Sequence, residues 1–449
     1  MAFAALNGAN RIALQEQNVS QANKKELQTI DAIKATLKNF EANAEPNAAP
    51  PALGDPGAMG LSILSYYAAM KPAPLAAFAV GQSDLNPYYF RVTAASSLSF
   101  LGDFELQNPR TLQIGHFDIA FLVVFLLPVF ILILSYNILS SEKESGILAL
   151  SLSQPISLRA LINTKIRWRT YFLLLSIGIV GFLCAIIVGV DPLSADAWTS
   201  FALWIGVVSL YGLFWFGLAV VVNAHGRSSA TNGVLLAAFW LILVILVPAM
   251  VSLTANTLYP APSRVMLAAE MREASAAADA AAVEALEDFY FDHPEFGTPD
   301  ATARTNFYLQ TISKEASIEK SVAPLLEEFN KQAEAQRNSV EQLQYLSPAI
   351  MAQQAVNKIS GTDHLRFTHF KDQVDAFHEA WADFFISRLI NSEWLTSADV
   401  KQLPMFDYQP PPPGPMVGDV LWSALGLLVL VFVLGLWSRF KLRRFPIVG

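Results

Sequence analysis

The chain has 449 residues, 53% of them hydrophobic and 15% charged, with a formal net charge of −8. That is too apolar and too poor in charge for a soluble protein of average composition, and the acidic balance speaks against nucleic acid as a partner. A single cysteine, Cys184, excludes an intrachain disulfide, so any large part outside a membrane is held by packing alone.

The apolar residues are clustered. About 20 of them in a row cross a hydrocarbon core of about 30 Å, and five runs reach that length: Phe117 to Leu139, Tyr171 to Val190, Trp198 to Val222, Val234 to Leu253 and Val420 to Trp437. The pattern predicts an all-α polytopic membrane protein with helical extracytoplasmic regions.

In order, the chain opens on MAFAALNGA, which is small and apolar, too short to span and without the basic start of a signal peptide. Residues 11–42 have helix-forming composition, with Leu27, Ile30, Ile33, Leu37 and Phe40 on one face. Four prolines and a glycine between Pro46 and Pro56 predict a linker. Residues 70–93 mix prolines with tyrosines and have no helical period, which predicts extended chain packed against the other soluble part.

Between the first two apolar runs lies SSEKESGILALSLSQPISLRALINTKIRWR, residues 140–169. Gly146 allows a turn, and Pro155 removes a backbone donor and divides the stretch. Two short amphipathic pieces on the membrane surface are expected. Arg159, Lys165, Arg167 and Arg169 place the stretch on the cytoplasmic side by the positive-inside rule. His225 and Arg227 put the 223–233 turn on that side, and Arg439, Lys441, Arg443 and Arg444 put the C-terminus there. Residues 11–116, 191–197 and 254–416 are then extracytoplasmic. Something must carry 11–116 across, so MAFAALNGA is expected to be the outer end of a first membrane helix whose inner part precedes Met1. Pro248 is expected to kink the fourth run or end it early.

Residues 254–416 hold 23 acidic against 12 basic residues and read as almost wholly helical. An alanine-rich helix follows Ser263-Arg264 and closes at His293-Pro294; a second pattern runs from Asn306 to Tyr345, interrupted at Pro324; a third starts at Ser347-Pro348. Phe367, Phe370, Phe377, Trp381, Phe384 and Phe385 form an aromatic stripe on the segment from His364 to Asn391, which reads as core rather than a ligand box. Pro410 to Pro413 form a stiff spacer before the last run. The parts are therefore 1–116, 117–253, 254–416 and 417–449.

The 140–169 stretch resembles the loop after the second membrane helix of ABC-2 type permeases, through Glu142, Glu144, Gly146, Leu148, Leu152, Ser153, Pro155 and Ser157. Ile147 replaces the usual Thr, Ser151 a common Leu, and the basic residue arrives one place late as Arg159. The resemblance implies a six-helix membrane domain whose first helix is truncated here. It also implies that the loop is the coupling helix on a separate ABC ATPase subunit, with Glu142, Glu144, Gly146, Leu148, Leu152, Pro155 and Arg159 as coupling residues. Pro260-Ala261-Pro262-Ser263-Arg264, Asp292-His293-Pro294-Glu295, Ser347-Pro348-Ala349, Gly361-Thr362-Asp363 and Phe377-His378 are similar to a subgroup close to gliding-motility and Nos-type permeases. That subgroup carries a helical extracytoplasmic insert between the last two membrane helices.

The chain has no G-x-x-x-x-G-K-[ST], so the nucleotide engine sits elsewhere. Neither catalysis nor a cofactor is expected in this chain, and ATP with Mg belongs to the partner ATPase. Glu142 and Glu144 either pair with basic groups on that partner or cap the next helix. His364 and His369, five apart, do not share a helix face, and with His293 and His378 they make no metal-ligand pattern. His378-Glu379-Ala380-Trp381-Ala382 lacks the second histidine of H-E-x-x-H. Asp118 and Asp419 stand only at the edges of spans, which argues against ion-coupled transport.

The expected function is the permease subunit of an ATP-driven exporter in a bacterial inner membrane. Its expected partners are the ATPase, a second permease copy as homodimer or sibling heterodimer, and membrane lipids. The alternative is a non-transporting scaffold that passes ATPase motion to an envelope protein.

Overall fold

The computed structural model describes residues 1–43, 52–84, 86–97, 100, 117–155, 157–191, 193–260, 264–299 and 301–443. In chain order the helices are α1 (Ala2–Asn43), α2 (119–135), α3 (Ser140–Glu144), α4 (Ile147–Leu152), α5 (Leu158–Ile187), α6 (Ala195–Asn223) and α7 (Ser229–Leu258). They continue as α8 (Arg264–Ala280), α9 (Ala282–Asp292), α10 (Ala301–Thr305), α11 (Phe307–Leu343), α12 (Pro348–Ile359), α13 (His364–Ile390) and α14 (Pro413–Leu442). The protein is predominantly helical. Among the described residues five helices are long and apolar enough to cross a membrane: Ile119–Glu144, Ala160–Ile187, Ala195–Asn223, Ser229–Leu258 and Pro413–Leu442. Residues 136–157 and 224–228 connect them at one end, called here the loop end; the opposite end, which carries residues 259–412, is the insert end.

Helix α6 is the axis of the bundle. Its most apolar window is 67% buried, against 17% for α5 and α7 and 22% for α14, so the rest of the chain leaves those three largely uncovered. Trp204, Tyr211, Trp215 and Phe216 of α6 fill the centre. Tyr211 donates its hydroxyl proton to the Val124 carbonyl at 2.8 Å. Val124 lies in a π-turn, residues 122–126, just before Pro128, where the helical ladder is already one donor short. Helix α7 repeats the device: residues 241–246 are π-helical ahead of Pro248, and the helix runs on to Leu258 rather than ending early.

At the insert end α1 begins within the same core as α5 and α6, with Ala4 and Ala5 fully buried beside Cys184 and Ala185. MAFAALNGA is thus the first part of one helix continuous with residues 11–43. Gly8 permits the contact, since any Cβ there would overlap the Ala77 carbonyl oxygen. Residues 52–63 are packed chain rather than linker. Asp55 caps a turn by accepting from Gly57 N at 2.7 Å and Ala58 N at 3.1 Å, and Pro56 to Gly60 are buried. The expected linker residues 46–51 lie outside the described residues, as do Ala261 to Ser263 and Arg444.

The fold is not purely helical. A two-stranded antiparallel ribbon pairs β1 (Tyr66–Ala69) with β2 (Tyr89–Val92), in register Tyr66 to Val92. It takes up part of the stretch expected to be extended, and Phe90 stacks on Phe370 of α13 at 5.8 Å between centroids. Phe370, Phe377, Trp381 and Phe385 of α13 are buried as the core stripe beneath it. Helices α8, α9 and α11 form a second arm. The alanine-rich stretch there is two helices broken at Ala281, not one. Helix α11 passes through Pro324 without interruption, and α8 and α9 pack along it.

The main departure from the expected domain plan is α12. It belongs to the 254–416 part, yet Ala349, Met351, Ala352, Ala355, Val356 and Ile359 are buried in the same core as Trp204 of α6 and Val420 and Leu427 of α14. Its cap, Ser347, donates to the Leu243 carbonyl at 2.5 Å, halfway along α7. Gly426, halfway along α14, lies so close that a Cβ would stand 2.7 Å from Met351 Sδ. Helices α11 and α12 therefore form a re-entrant hairpin that reaches the middle of the bundle. Lys358 closes it at the insert end against Asp419 at 2.7 Å and Glu341 at 3.2 Å.

Glu26 of α1 is buried under the ribbon, accepting from Tyr67 N at 3.3 Å while its other oxygen has no partner. Burial pushes its pKa up to about 7. A raised pKa means that its contribution is full below the ordinary value near 4.5 and is lost as pH rises through about 7. Glu26→Gln is expected to match wild type in acid and to exceed it by roughly 2 kcal/mol above neutrality. Unfolding of the purified protein across that range checks this; parallel curves for the two proteins would refute it.

Candidate functional site at the loop end

The 140–169 stretch folds into three pieces. Helix α3 ends at Ser145, Gly146 turns with φ of +75°, and α4 comes next. The stretch is divided at Gly146 as well as around Pro155. Beyond Pro155 there is no second surface piece; the chain enters α5, capped by Ser157, whose hydroxyl accepts from Ala160 N at 3.2 Å. Proline stops one helix, and the serine two residues later starts the next. The apolar period then continues directly into the span, so Lys165, Arg167 and Arg169 ride on a membrane helix.

Helix α4 has two faces. Leu148 is fully buried and Leu152 partly so, four residues apart, in a cluster with Ile138, Ile162, Val220 and Leu442. Ile147 and Leu150, three apart, point away and are 52% and 71% exposed. Pro155 is exposed, and nothing lies within 4 Å of where a Cβ on Gly146 would be. The Arg159 side chain lies outside the described residues.

Both acidic residues have partners inside the chain. Glu142 forms an ion pair with Lys165. Glu144 accepts from Ser229 N at 2.6 Å and from the Ser229 hydroxyl at 2.9 Å, at the first turn of α7. The helix that Glu144 caps is thus α7, remote in sequence, rather than the next one. Lys143 reaches the Gly226 carbonyl at 3.5 Å, and Ser229 Oγ stands 2.9 Å from Ser140 Oγ.

Beneath them lies a buried polar node that sequence reasoning missed. Asn223, the last residue of α6, is 1% exposed. It donates to the Ser135 carbonyl at 3.1 Å and the Ala219 carbonyl at 2.9 Å, and accepts from Leu139 N at 3.4 Å and Asn232 Nδ2 at 3.3 Å. The turn at 136–139 takes backbone groups of α2 and α3 out of the helical ladder, and this amide answers two of them. An asparagine closing an apolar run, with a second nine residues on, was the available signal.

The outcome is a small platform in which seven helices share polar contacts and one apolar cluster, with two branched apolar side chains turned outward. Among the described residues no group of His, Cys, Asp or Glu is arranged to hold a metal. His364 heads α13 at the insert end, where burial pushes its pKa down to about 4 and keeps the ring neutral at neutral pH.

Residues 264–409 match a family model described as Domain of unknown function (DUF3526). The match starts at the first residue of α8 and stops just before α14, so it coincides with the insert and includes the re-entrant α12. No curated protein matches the chain.

Proposed function

We propose that the chain is the permease subunit of an ABC-2 type exporter, driven by a separate ATPase that docks on α3, α4 and the start of α5. In this reading the loop end faces the cytoplasm of a bacterium, the insert lies outside the inner membrane, and two permease copies or sibling chains flank the pathway. The observation that carries it is α4. Its inner face is seated on the ends of four spans and its outer face offers Ile147 and Leu150 to a partner. A push on that outer face reaches α2 through the 136–139 turn, α5 through Pro155 to Ser157, and α7 through Glu144.

The test is co-purification with an ABC ATPase encoded beside it. Ile147→Asp with Leu150→Asp is expected to weaken the complex at least about tenfold, as loss of central apolar anchors does, while the unfolding temperature of the permease stays put. Undiminished complex formation would sink the coupling role. The scaffold reading is favoured by one observation, the seating of α12 between α6 and α14, which ties the insert to the bundle. ATPase activity stimulated by a lipid or small solute supports export; stimulation only by an envelope protein supports the scaffold.

A further inference from the structure

A cavity of about 560 Å³ runs along α1 at the insert end, closed on its other side by residues 69–73 and the start of α13. That volume is in the range of small-molecule sites. One wall is an apolar stripe of α1, Ile12, Val19 and Leu27, and the facing wall holds Met70, Pro72 and Phe367. Four cations line it, Arg11, Lys24, Lys71 and Arg366, against two acids, Glu16 and Asp363. This basic excess stands out beside a 254–416 part that is strongly acidic.

Two of the four are already paired with carboxylates. Arg11 pairs with Asp84 at 3.3 Å and donates to the Ala76 carbonyl at 3.0 Å; Lys71 pairs with Asp407 at 3.1 Å. Arg366 donates to the Lys71 carbonyl at 2.7 Å and lies over the Tyr408 ring at 5.7 Å. Neither Arg366 nor Lys24 has a carboxylate within 4.0 Å among the described residues. The Nε atoms of Arg11 and Arg366 and the Oδ1 of Asn23 are enclosed without any hydrogen-bond partner.

The cavity begins close to the insert end of the spans. Ala4 and Ala5, less than two turns before Arg11, are packed against the insert end of α5. From Arg11 to Leu27 the wall is about 24 Å long at the helical rise. One leaflet's hydrocarbon layer is about 15 Å deep, so the wall accommodates an extended acyl chain together with its head.

We propose that this cavity binds a single-chain anionic amphiphile taken from the adjoining leaflet, its chain along Ile12, Val19 and Leu27 and its carboxylate or phosphate head between Lys24 and Arg366. The proposal does not depend on the transporter reading.

The experiment uses the full chain in nanodiscs of phosphatidylcholine with a diazirine-bearing oleate as probe. Saturable labelling is expected to map to residues 12–27 and 366–367. Oleate and oleoyl lysophosphatidylglycerol compete, and their ranking separates a carboxylate head from a phosphate head; oleoyl lysophosphatidylcholine and inorganic phosphate do not compete. Lys24→Gln with Arg366→Gln is expected to weaken oleate binding about tenfold or more, the worth of one lost charge-assisted hydrogen bond. Val19→Trp, which fills the apolar wall, is expected to abolish labelling at an unchanged unfolding temperature. Labelling spread over the spans, equal competition by the zwitterionic lysolipid, or displacement by phosphate alone would each overturn the proposal.

Discussion

Asn223→Ala is expected to destabilise the protein by about 2 to 3 kcal/mol. The asparagine makes four hydrogen bonds, three of them to other elements, with no access to water. Interhelical hydrogen bonds in membrane proteins average about 0.6 kcal/mol each, and a buried group left unsatisfied adds about 1 kcal/mol or more. The Leu139 amide would be stranded at the turn that leads into α3, and the Ser135 carbonyl would keep only its bond from Ile138 N at 3.3 Å. The loss is therefore expected to fall on the platform as well as on global stability. Chemical denaturation in detergent reads the first effect, and hydrogen exchange of residues 136–152 reads the second. Exchange unchanged from wild type would show that the turn holds without the amide.

Gly8→Leu is expected to cost about 3 kcal/mol, the upper part of the range for overpacking. The clash is with backbone, the Ala77 carbonyl, and backbone cannot rotate away as a side chain does. The neighbouring Phe78 meets Trp204 edge-on at 5.3 Å between centroids, so the 75–80 segment is itself fixed on α6. Helix α1 must give way instead. Faster proteolysis of residues 2–43, together with the lowered stability, is the expected result; a shift under about 1 kcal/mol would mean that α1 is not seated where Ala4 and Ala5 place it.

Much of this architecture is legible because hydrophobic length is a coarse and strong signal. The five runs are spans by length and composition, and the aromatic stripe of α13 is core. Local chemistry also carried some of the loop: Gly146 turns and Pro155 ends a helix. Long-range pairing could not be read. Glu144 looked equally suited to a partner's cation or to the following helix, and only the approach of α7 gives it Ser229. Pro248 suggested a kink or an early end; the helix does not end there but runs on to Leu258, and there as at Pro128 a π-turn stands just ahead of the proline. The re-entrant α12 escaped because twelve residues are too few for a span, and a short apolar helix suits a soluble core equally well. Its Ser347-Pro348 start was plain; its destination was not.

The seating of α12 has a consequence for anyone wishing to dissect the chain. The 264–409 region is not a module clipped on between two membrane helices, because one of its rods is mortised into them at mid-depth. Excised, it would carry a naked greasy peg into water; deleted, it would leave an open slot between α6 and α14. Neither half is expected to behave on its own as it does in the whole.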